Sequence, residues 1–428
     1  MGEIIFKLED MIWGVPLIVI LMFTHIYFTF KLKFPQKFTF KGLKLIVKGD
    51  KKNKDQGISS YKSLMTILAG TLGTGNIIGI SAAITIGGIG SIFWIFISGV
   101  FAIATKYAET YIVLKYRRYK NGASYGGTMY VLKDRIGNLF LATLFSIFIL
   151  VASLGMGSMI QSNSITATIL ENFELNKTFI SICITIICAY AIFGNEKRIS
   201  DISSILVPLA TIVYLYMCGY LLYMFKDNIL NSIFSIINAA FDFRSVTGGI
   251  LGTSAMIALR QGLSKGLFTN EAGMGSSPIF DSTVRETNIK KQSIISSTSV
   301  FIDTVVLCTL TGIVIVSSGL YQNYSDPITL MQQVFSNIPY GNYLLSFSLV
   351  AFAFATIPCW SYYGKIAVNY LFKEKTFYQL LYKLAYLVFV FCGSRVTVTQ
   401  VWSIANISTA LMSIPNIYML YYLRKEIE

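Results

Sequence analysis

Two short stretches carry most of the residue types that could do chemistry. The first places Gly70, Gly73, Gly75 and Gly79 around Thr74 and Asn76. The second, "RQGLSKGLFTNEAGMGSSP", places Gly262, Gly266, Gly273, Gly275 and Pro278 around Phe268, Thr269, Asn270 and Glu271. Gly73 to Gly79 spells G-x-G-x-x-G, the pattern that cradles a dinucleotide pyrophosphate. That reading needs a preceding strand, a βαβ unit and an acid about 20 residues downstream. Here both flanks are long apolar runs, and the next acid after Gly79 is Glu109. Glycines can also form a small-x-x-small seam between membrane helices, which suits Gly75 with Gly79 but leaves the polar Thr74 and Asn76 unexplained. A third chemistry fits better. A helix interrupted inside hydrocarbon frees backbone N–H and C=O groups, each costing several kcal/mol if unpaired. Half-helix N-termini hold a carboxylate and freed carbonyls ligate a cation, so the pattern suits an amino acid with sodium.

The elements around these stretches must therefore be membrane helices. Of 428 residues, 54% are hydrophobic and 13% charged, about half the charge of a soluble domain, and mean hydropathy is +0.61. The net charge of +14 is confined to short loops, which points to orientation in a bilayer rather than to nucleic acid. Runs long enough for a hydrocarbon core of about 30 Å number eleven: 11–30, 62–87, 90–115, 138–170, 178–194, 202–225, 250–282, 293–319, 341–371, 376–392 and 399–423. The first reads as a retained helix, with acids before it and lysines after it and no small-residue cleavage site. Loop 31–61 holds nine lysines, and alternate loops continue with Arg117, Arg118, Lys120, Lys133 and Arg135, then Lys197 and Arg198, Lys290 and Lys291, Lys373 and Lys375. The opposite loops hold only Lys7, Lys177, Lys226, Arg244 and Arg395. The imbalance predicts a multi-pass cell-membrane protein with its amino terminus outside and its carboxyl terminus in the cytoplasm.

Eleven spans divide as one plus five plus five: an extra helix over 1–31, a unit over 62–225 and a unit over 250–423. Because five is odd, the two units lie upside down relative to each other, the topology of inverted-repeat transporters. The two glycine-interrupted spans are the first members of the two units. The six cysteines lie in or beside apolar runs without a C-x-x-C or a neighbouring histidine, so they read as small core residues. His25 alone serves no metal set or general-base scheme, no P-loop is present, and an enzyme is not expected. A channel or an amino-acid sensor could share the architecture.

Several long motifs give a family resemblance. "GTGNIIGISAAITIGGIGSIFWIFISGVFAIATKYAETYIVLKYR", "GMGSMIQSNSI", "RQGLSKGLFTNEAGMGSSPI", "FIDTVVLCTLTGIVI" and "FAFATIPCWSYYG" occur in this order, and the chain resembles the alanine/glycine:cation symporters throughout. The resemblance implies an all-α leucine-transporter-type fold with an extra first helix. It implies uptake of a small neutral amino acid, alanine or glycine and in some members glutamine, coupled to sodium or sometimes protons. It implies substrate carboxylate binding at Gly73, Thr74, Gly75 and Asn76, with Phe268, Thr269, Asn270 and Glu271 at the second break and Gln161 on the fourth helix. It implies sodium at the carbonyls of Ala69 and Leu72, at Asn76 and at Thr356. Ala355-Thr356 replaces a hydroxyl pair, Pro358-Cys359 an apolar-glycine pair, and Phe280-Asp281 stands where small residues or histidine are commoner. From the residues themselves, Glu271 reads equally as a helix cap, Gln161 equally as an interhelical bond, and Asp303 as a partner for a hydroxyl. Lys106 and Glu109 read as an i,i+3 pair, Arg260 and Lys265 as a border of one mouth of the pathway or equally as snorkelling bases, and 229–243 as an interfacial helix.

Overall fold

The computed structural model describes residues 2–48, 57–120, 123–242, 254–396 and 399–428. The start of the second unit at 250–253, Arg244 and the loop lysines between 49 and 56 lie outside the described residues. What is described is mostly helical; its strand pairings are one short antiparallel hairpin, Arg118–Lys120 with Ala123–Tyr125, on the loop after the third predicted span, and a single parallel bridge between Ile58 and Val284. In hydrocarbon only a helix satisfies every backbone group within one segment.

Six helices are long and apolar enough to cross a membrane: Ser91–Lys115, Leu139–Asn172, Glu196–Met224, Ile289–Ser317, Gly341–Leu371 and Thr376–Gly393. Two bent pairs, Val15–Lys31 with Pro35–Ile46 (68°) and Ser60–Thr71 with Thr74–Gly87 (67°), bring the number to eight if each is one span. The other three expected segments form helices of a different character. Lys177–Ile192 and Ser254–Asn270 have 16 and 17 residues. Thr399–Tyr422 is long but polar, burying Ser403, Ser408, Thr409, Ser413 and Asn416. Polar residues turned inward lower hydropathy without exposing anything to lipid.

Helix starts follow local chemistry. Asn176, Asn195 and Asn288 each accept a hydrogen bond from a first-turn amide, satisfying donors that a helix start leaves free. The cap at Asn195 begins its helix at Glu196, six residues before the apolar run. Loop 31–61 is not wholly irregular either, because Thr39–Lys48 forms an amphipathic helix packed on Ile289–Val300. Two central helices, Ser91–Lys115 and Gly341–Leu371, bury 67% and 72% of their apolar windows, against 33% for Glu196–Met224 and 28% for Thr376–Gly393. The first two form the scaffold around the broken segments; the last two face lipid. Ile229–Ala240 is a separate helix beside Ser91–Lys115, where the interfacial helix is expected.

Candidate substrate and ion site

The first break lies between Thr71 and Ile78. Leu72 leaves the helix at ψ 86° and Gly73 is extended, after which Thr74–Asn76 makes one 3-10 turn and Ile78–Gly87 resumes. Asn76 closes the turn on itself: its Oδ1 accepts from the Gly73 amide at 3.2 Å, and its own amide donates to the Gly73 carbonyl at 3.3 Å. Gly73 and Asn76 therefore spend their N–H groups inside the turn. Among the described residues nothing accepts from the amides of Thr74 and Gly75, and the buried Thr74 hydroxyl has no partner. The set of free donors is thus narrower than the whole stretch 73–76. The glycines here do not make a packing seam. A Cβ on Gly79 meets nothing within 4 Å, and one on Gly75 meets only the Phe268 ring, at 3.5 Å. Tight packing belongs to Gly262 and Gly266, where a Cβ would overlap Ser91 and Ser98 of the adjacent helix.

The second break follows Asn270. Glu271 sits at φ +52°, Gly273 at +88° and Gly275 at +75°, and helix resumes only at Pro278–Asp281. A left-handed non-glycine residue costs roughly 1–2 kcal/mol, so this one must be held. Its Oε2 accepts from Ser276 at 2.6 Å, the Asn270 Oδ1 caps the Ala272 amide at 2.9 Å, and Lys106 Nζ donates to the Asn270 carbonyl at 3.4 Å. Asn416 Nδ2 donates both to Glu109 (2.7 Å) and to the Gly273 carbonyl (2.9 Å). Gly275 has no room for a side chain, since a Cβ would lie 2.6 Å from both Asn416 Oδ1 and Thr128 Oγ. Glu271 Oε1 and Asn270 Nδ2 are buried without a partner among the described residues.

The breaks are joined side to side. Asn76 Nδ2 donates to the Asp303 carboxylate, the Thr304 hydroxyl to Asp303 Oδ2 at 3.2 Å, and Thr304 meets the Thr269 hydroxyl at 3.4 Å. Asp303 and Cys308 stand on a π-helical segment, Phe301–Cys308. A second π-helical segment, Ser153–Ile160, delivers Gln161. The wider turn leaves the Met156 carbonyl to accept from Gln161 Nε2 at 3.2 Å, while Gln161 Oε1 is buried with no donor. A Cβ on Gly73 would lie 3.5 Å from both amide atoms of Gln161 and 3.7 Å from Thr356 Oγ. Thr356 donates to the Ala69 carbonyl (2.7 Å) or to Phe352 (2.9 Å), and the Leu72 carbonyl accepts no hydrogen bond from a described residue. Oxygens of this kind suit a hard cation.

A cavity of about 500 Å³ lies above the first break, with Thr74, Gly75 and Phe268 among its lining and Lys265 and Glu171 as its charged groups. It opens at the end of the molecule where Leu139–Asn172 finishes and Gly341–Leu371 begins. Phe268 lies between Trp402 (6.3 Å) and Trp13 (6.4 Å), whose indole donates to the Asn406 carbonyl at 2.8 Å. Gly73, Asn76, Gln161, Thr269, Asn270, Glu271 and Thr356 lie behind this floor and do not line the cavity. The opposite end of the molecule carries partly exposed ion pairs: Lys62–Asp201, Lys120–Glu374, Arg118–Asp134 at 2.5 Å and Arg135–Glu426 at 2.9 Å. The Tyr116 hydroxyl, with Lys115 and Arg135, holds the Glu426 carboxyl down at about 2.

Comparison with known proteins decides what this arrangement belongs to. The sodium:alanine symporter family matches residues 1–428. The chain belongs to that family. A sodium/alanine symporter, AgcS, of Methanococcus maripaludis is 34% identical over 421 residues, covering 96% of this chain and 92% of the relative. An uncharacterized transporter of Haemophilus influenzae is 36% identical over 432 residues, with 99% and 94% covered. A probable sodium/glutamine symporter, GlnT, of Bacillus subtilis is 28% identical, with 97% and 87% covered. Among solved structures, MhsT in complex with L-phenylalanine superposes with a TM-score of 0.60 at 14% identity, covering 87% of this chain and 90% of that one. A sodium-coupled sialic acid symporter gives 0.57 at 12% identity, with 95% and 80% covered. The fold is thus the leucine-transporter type, and this sodium:alanine symporter family member is a membrane-embedded secondary transporter rather than an enzyme.

Within this family member, two expectations change. Lys106 and Glu109 do not pair with each other, because the two breaks claim them: Lys106 goes to Asn270 and Glu109 to Asn416. Asp303, read as a partner for a hydroxyl, also accepts from the amide of Asn76 and so joins the first break. Its signal was present in the sequence as an acid inside an apolar run. Arg260 and Lys265 both line a smaller cavity with Trp13 and Phe268; Lys265 also lines the main cavity, and Arg260 faces Asp10 at 3.8 Å.

Proposed function

We propose that this protein accumulates a small neutral amino acid, alanine or glycine, by sodium-coupled symport with alternating access. The carrying observation is a cluster of groups at the first break without a partner among the described residues: the Thr74 and Gly75 amides, the buried Thr74 hydroxyl and the buried Gln161 carbonyl oxygen. Donors on one side and an acceptor on the other match the two ends of a zwitterion. The carboxylate lies on the Thr74 and Gly75 N–H groups, favoured by the half-helix dipole, and the ammonium donates to Gln161 Oε1. Gly73 keeps the space between Gln161 and Thr356 clear, and Phe268 closes over Gly75. One sodium ion is held by the Ala69 and Leu72 carbonyls with Thr356. Asn76 with Asp303 supports a cation beside the carboxylate, and Thr269, Asn270 and Glu271 hold the second break in register with it. The chain is arranged as the helix over 1–31 and two inverted five-helix units over 62–225 and 250–423, eleven spans in all. With the amino terminus outside, the 500 Å³ cavity is the external vestibule and the ion pairs close the cytoplasmic side.

Uptake of labelled alanine, glycine and glutamine into proteoliposomes, under inward sodium, potassium or proton gradients, tests the reading. Sodium-driven accumulation of alanine or glycine is the expected result. Equilibration without accumulation under every gradient rejects symport in favour of a channel, and accumulation driven only by protons rejects sodium.

A further inference from the structure

The lysine-rich stretch after the first helix is folded into a fixed surface. Residues 31–48 include six lysines and no acid. Lys33 and Phe34 turn the chain at φ +55° and +63°, and the helices on either side, Val15–Lys31 and Pro35–Ile46, are bent by 68°. Gln36 holds the corner, donating to Thr29 Oγ at 2.9 Å and to the Val100 carbonyl at 3.0 Å. With the first helix crossing the bilayer, the second runs nearer to the membrane plane than to its normal.

The two faces of Thr39–Lys48 differ. On one, a Cβ on Gly42 would overlap the Thr298 methyl and lie 3.1 Å from the Ile294 carbonyl oxygen, so this helix meets Ile289–Val300 backbone to helix. On the other, Phe40, Lys41 and Lys44 are exposed, as are Lys33, Phe34 and Lys37 just before it. None of these four lysines pairs with a carboxylate among the described residues. Lys37 and Lys41 instead converge on one ring, that of Phe38, at 5.1 and 5.8 Å. Like charges four residues apart on a helix repel, and an anion between them removes that cost. A soluble anion would engage the lysines but leave the Phe34 and Phe40 rings, 49% and 68% exposed, in water. Lysines for phosphates, with aromatic rings beside them for the acyl boundary, fit the surface of an anionic bilayer.

We propose that Lys37, Lys41 and Lys44 bind the headgroup phosphates of anionic phospholipids while Phe34 and Phe40 enter the acyl boundary, and that this contact raises the transport rate. The route inward is short. Phe40 meets the Phe301 ring at 5.8 Å, and Phe301 opens the π-helical segment that carries Asp303, the acceptor for Asn76. Lipid seated on Phe40 thereby steadies the segment that braces the first break. In the orientation proposed above this surface meets the cytoplasmic leaflet. The effect on rate rests on the symport reading; the lipid binding does not.

The test has two arms on the purified full-length protein. Native mass spectrometry measures binding of dioleoyl phosphatidylglycerol and dioleoyl phosphatidylcholine to wild type and to Lys37→Gln, Lys41→Gln and Lys44→Gln, singly and together. Wild type is expected to prefer phosphatidylglycerol, and each substitution to weaken it about fivefold, the equivalent of about 1 kcal/mol per lysine at an anionic surface. Equal binding of the two lipids by wild type, or unchanged phosphatidylglycerol binding in the triple variant, overturns the proposal. The second arm measures alanine uptake in vesicles of phosphatidylcholine alone and of an equimolar mixture with phosphatidylglycerol. Uptake should be faster in the mixture for wild type, and equal in both for the triple variant and for Phe40→Ala. Stimulation that persists in Phe40→Ala overturns the route through Phe301. Inorganic phosphate that reproduces the stimulation in phosphatidylcholine alone overturns the lipid assignment in favour of a soluble anion. Absence of uptake in every vesicle rejects the symport reading, and the binding arm then still decides whether the surface takes lipid.

Discussion

Adding one methyl group at Gly75 separates a ligand site from a packing role with little structural cost. Gly75 lies in the 3-10 turn without a positive φ, so alanine adopts the backbone unstrained. Its Cβ would stand 3.5 Å from the Phe268 ring, an ordinary contact. Replacing glycine at a compatible position stabilises by up to about 1 kcal/mol through the unfolded chain, so Gly75→Ala should melt at or slightly above the wild-type temperature. The methyl nevertheless occupies the space where a carboxylate would approach the Gly75 N–H. A methyl-sized misfit is worth about 1–3 kcal/mol, or 10–200-fold, so KM for alanine should rise by that factor. Gly266→Ala gives the opposite pattern. Its Cβ would overlap the Ser98 hydroxyl, and overpacking costs about 1–3 kcal/mol of stability. The assay pairs thermal unfolding in detergent with alanine uptake at graded concentrations. A Gly75→Ala protein with wild-type stability and wild-type KM would refute carboxylate binding at this turn.

Asn76→Ala removes both the cap on the Gly73 amide and the donor to Asp303, and should abolish alanine accumulation while the purified protein stays monodisperse; retained uptake removes Asn76 from the mechanism. Thr356→Val keeps the side-chain shape but deletes the hydroxyl beside Ala69, and should raise the sodium concentration needed for half-maximal uptake about tenfold or more, measured as uptake against sodium at fixed alanine. Glu426→Gln should lower the melting temperature at neutral pH. The folded carboxyl, held at about 2 by the Tyr116 hydroxyl and then Lys115 and Arg135, lies below its unfolded value. Its stabilisation is therefore complete above the ordinary glutamate range and lost as pH falls through about 2. The gap between variant and wild type should stay constant from neutral pH to about pH 5 and shrink below that.

Local chemistry could be read from the sequence, and distant pairing could not. Glycine spacing located both breaks because only a few residue types leave a membrane helix without strain, and the ends of Gly341–Leu371 followed directly from where apolarity stops. The Thr39–Lys48 helix was hidden because its lysines raise polarity without breaking helical periodicity. The link from Asn76 to Asp303 spans 227 residues, and no one-dimensional pattern records it. The freed amides of Thr74 and Gly75 were foreseeable as part of 73–76, but not the way Asn76 occupies the other two. The π-helical segments Ser153–Ile160 and Phe301–Cys308 leave no compositional mark, since an i→i+5 turn uses the same residues as an α-turn.

The π-helical stretch Ser153–Ile160 has an awkward evolutionary corollary. A π-turn holds one more residue than an α-turn, so deleting any one residue there would heal the regular ladder and give a locally sturdier rod. The same deletion would return the Met156 carbonyl, which now accepts from the Gln161 amide at 3.2 Å, to the regular ladder, and the Gln161 side chain would lose the contact that holds it beside Gly73. A selection for heat resistance alone would accept that shortening, and a selection for growth on scarce nutrient would discard it. The defect in the helix and the ability to bind are inherited together.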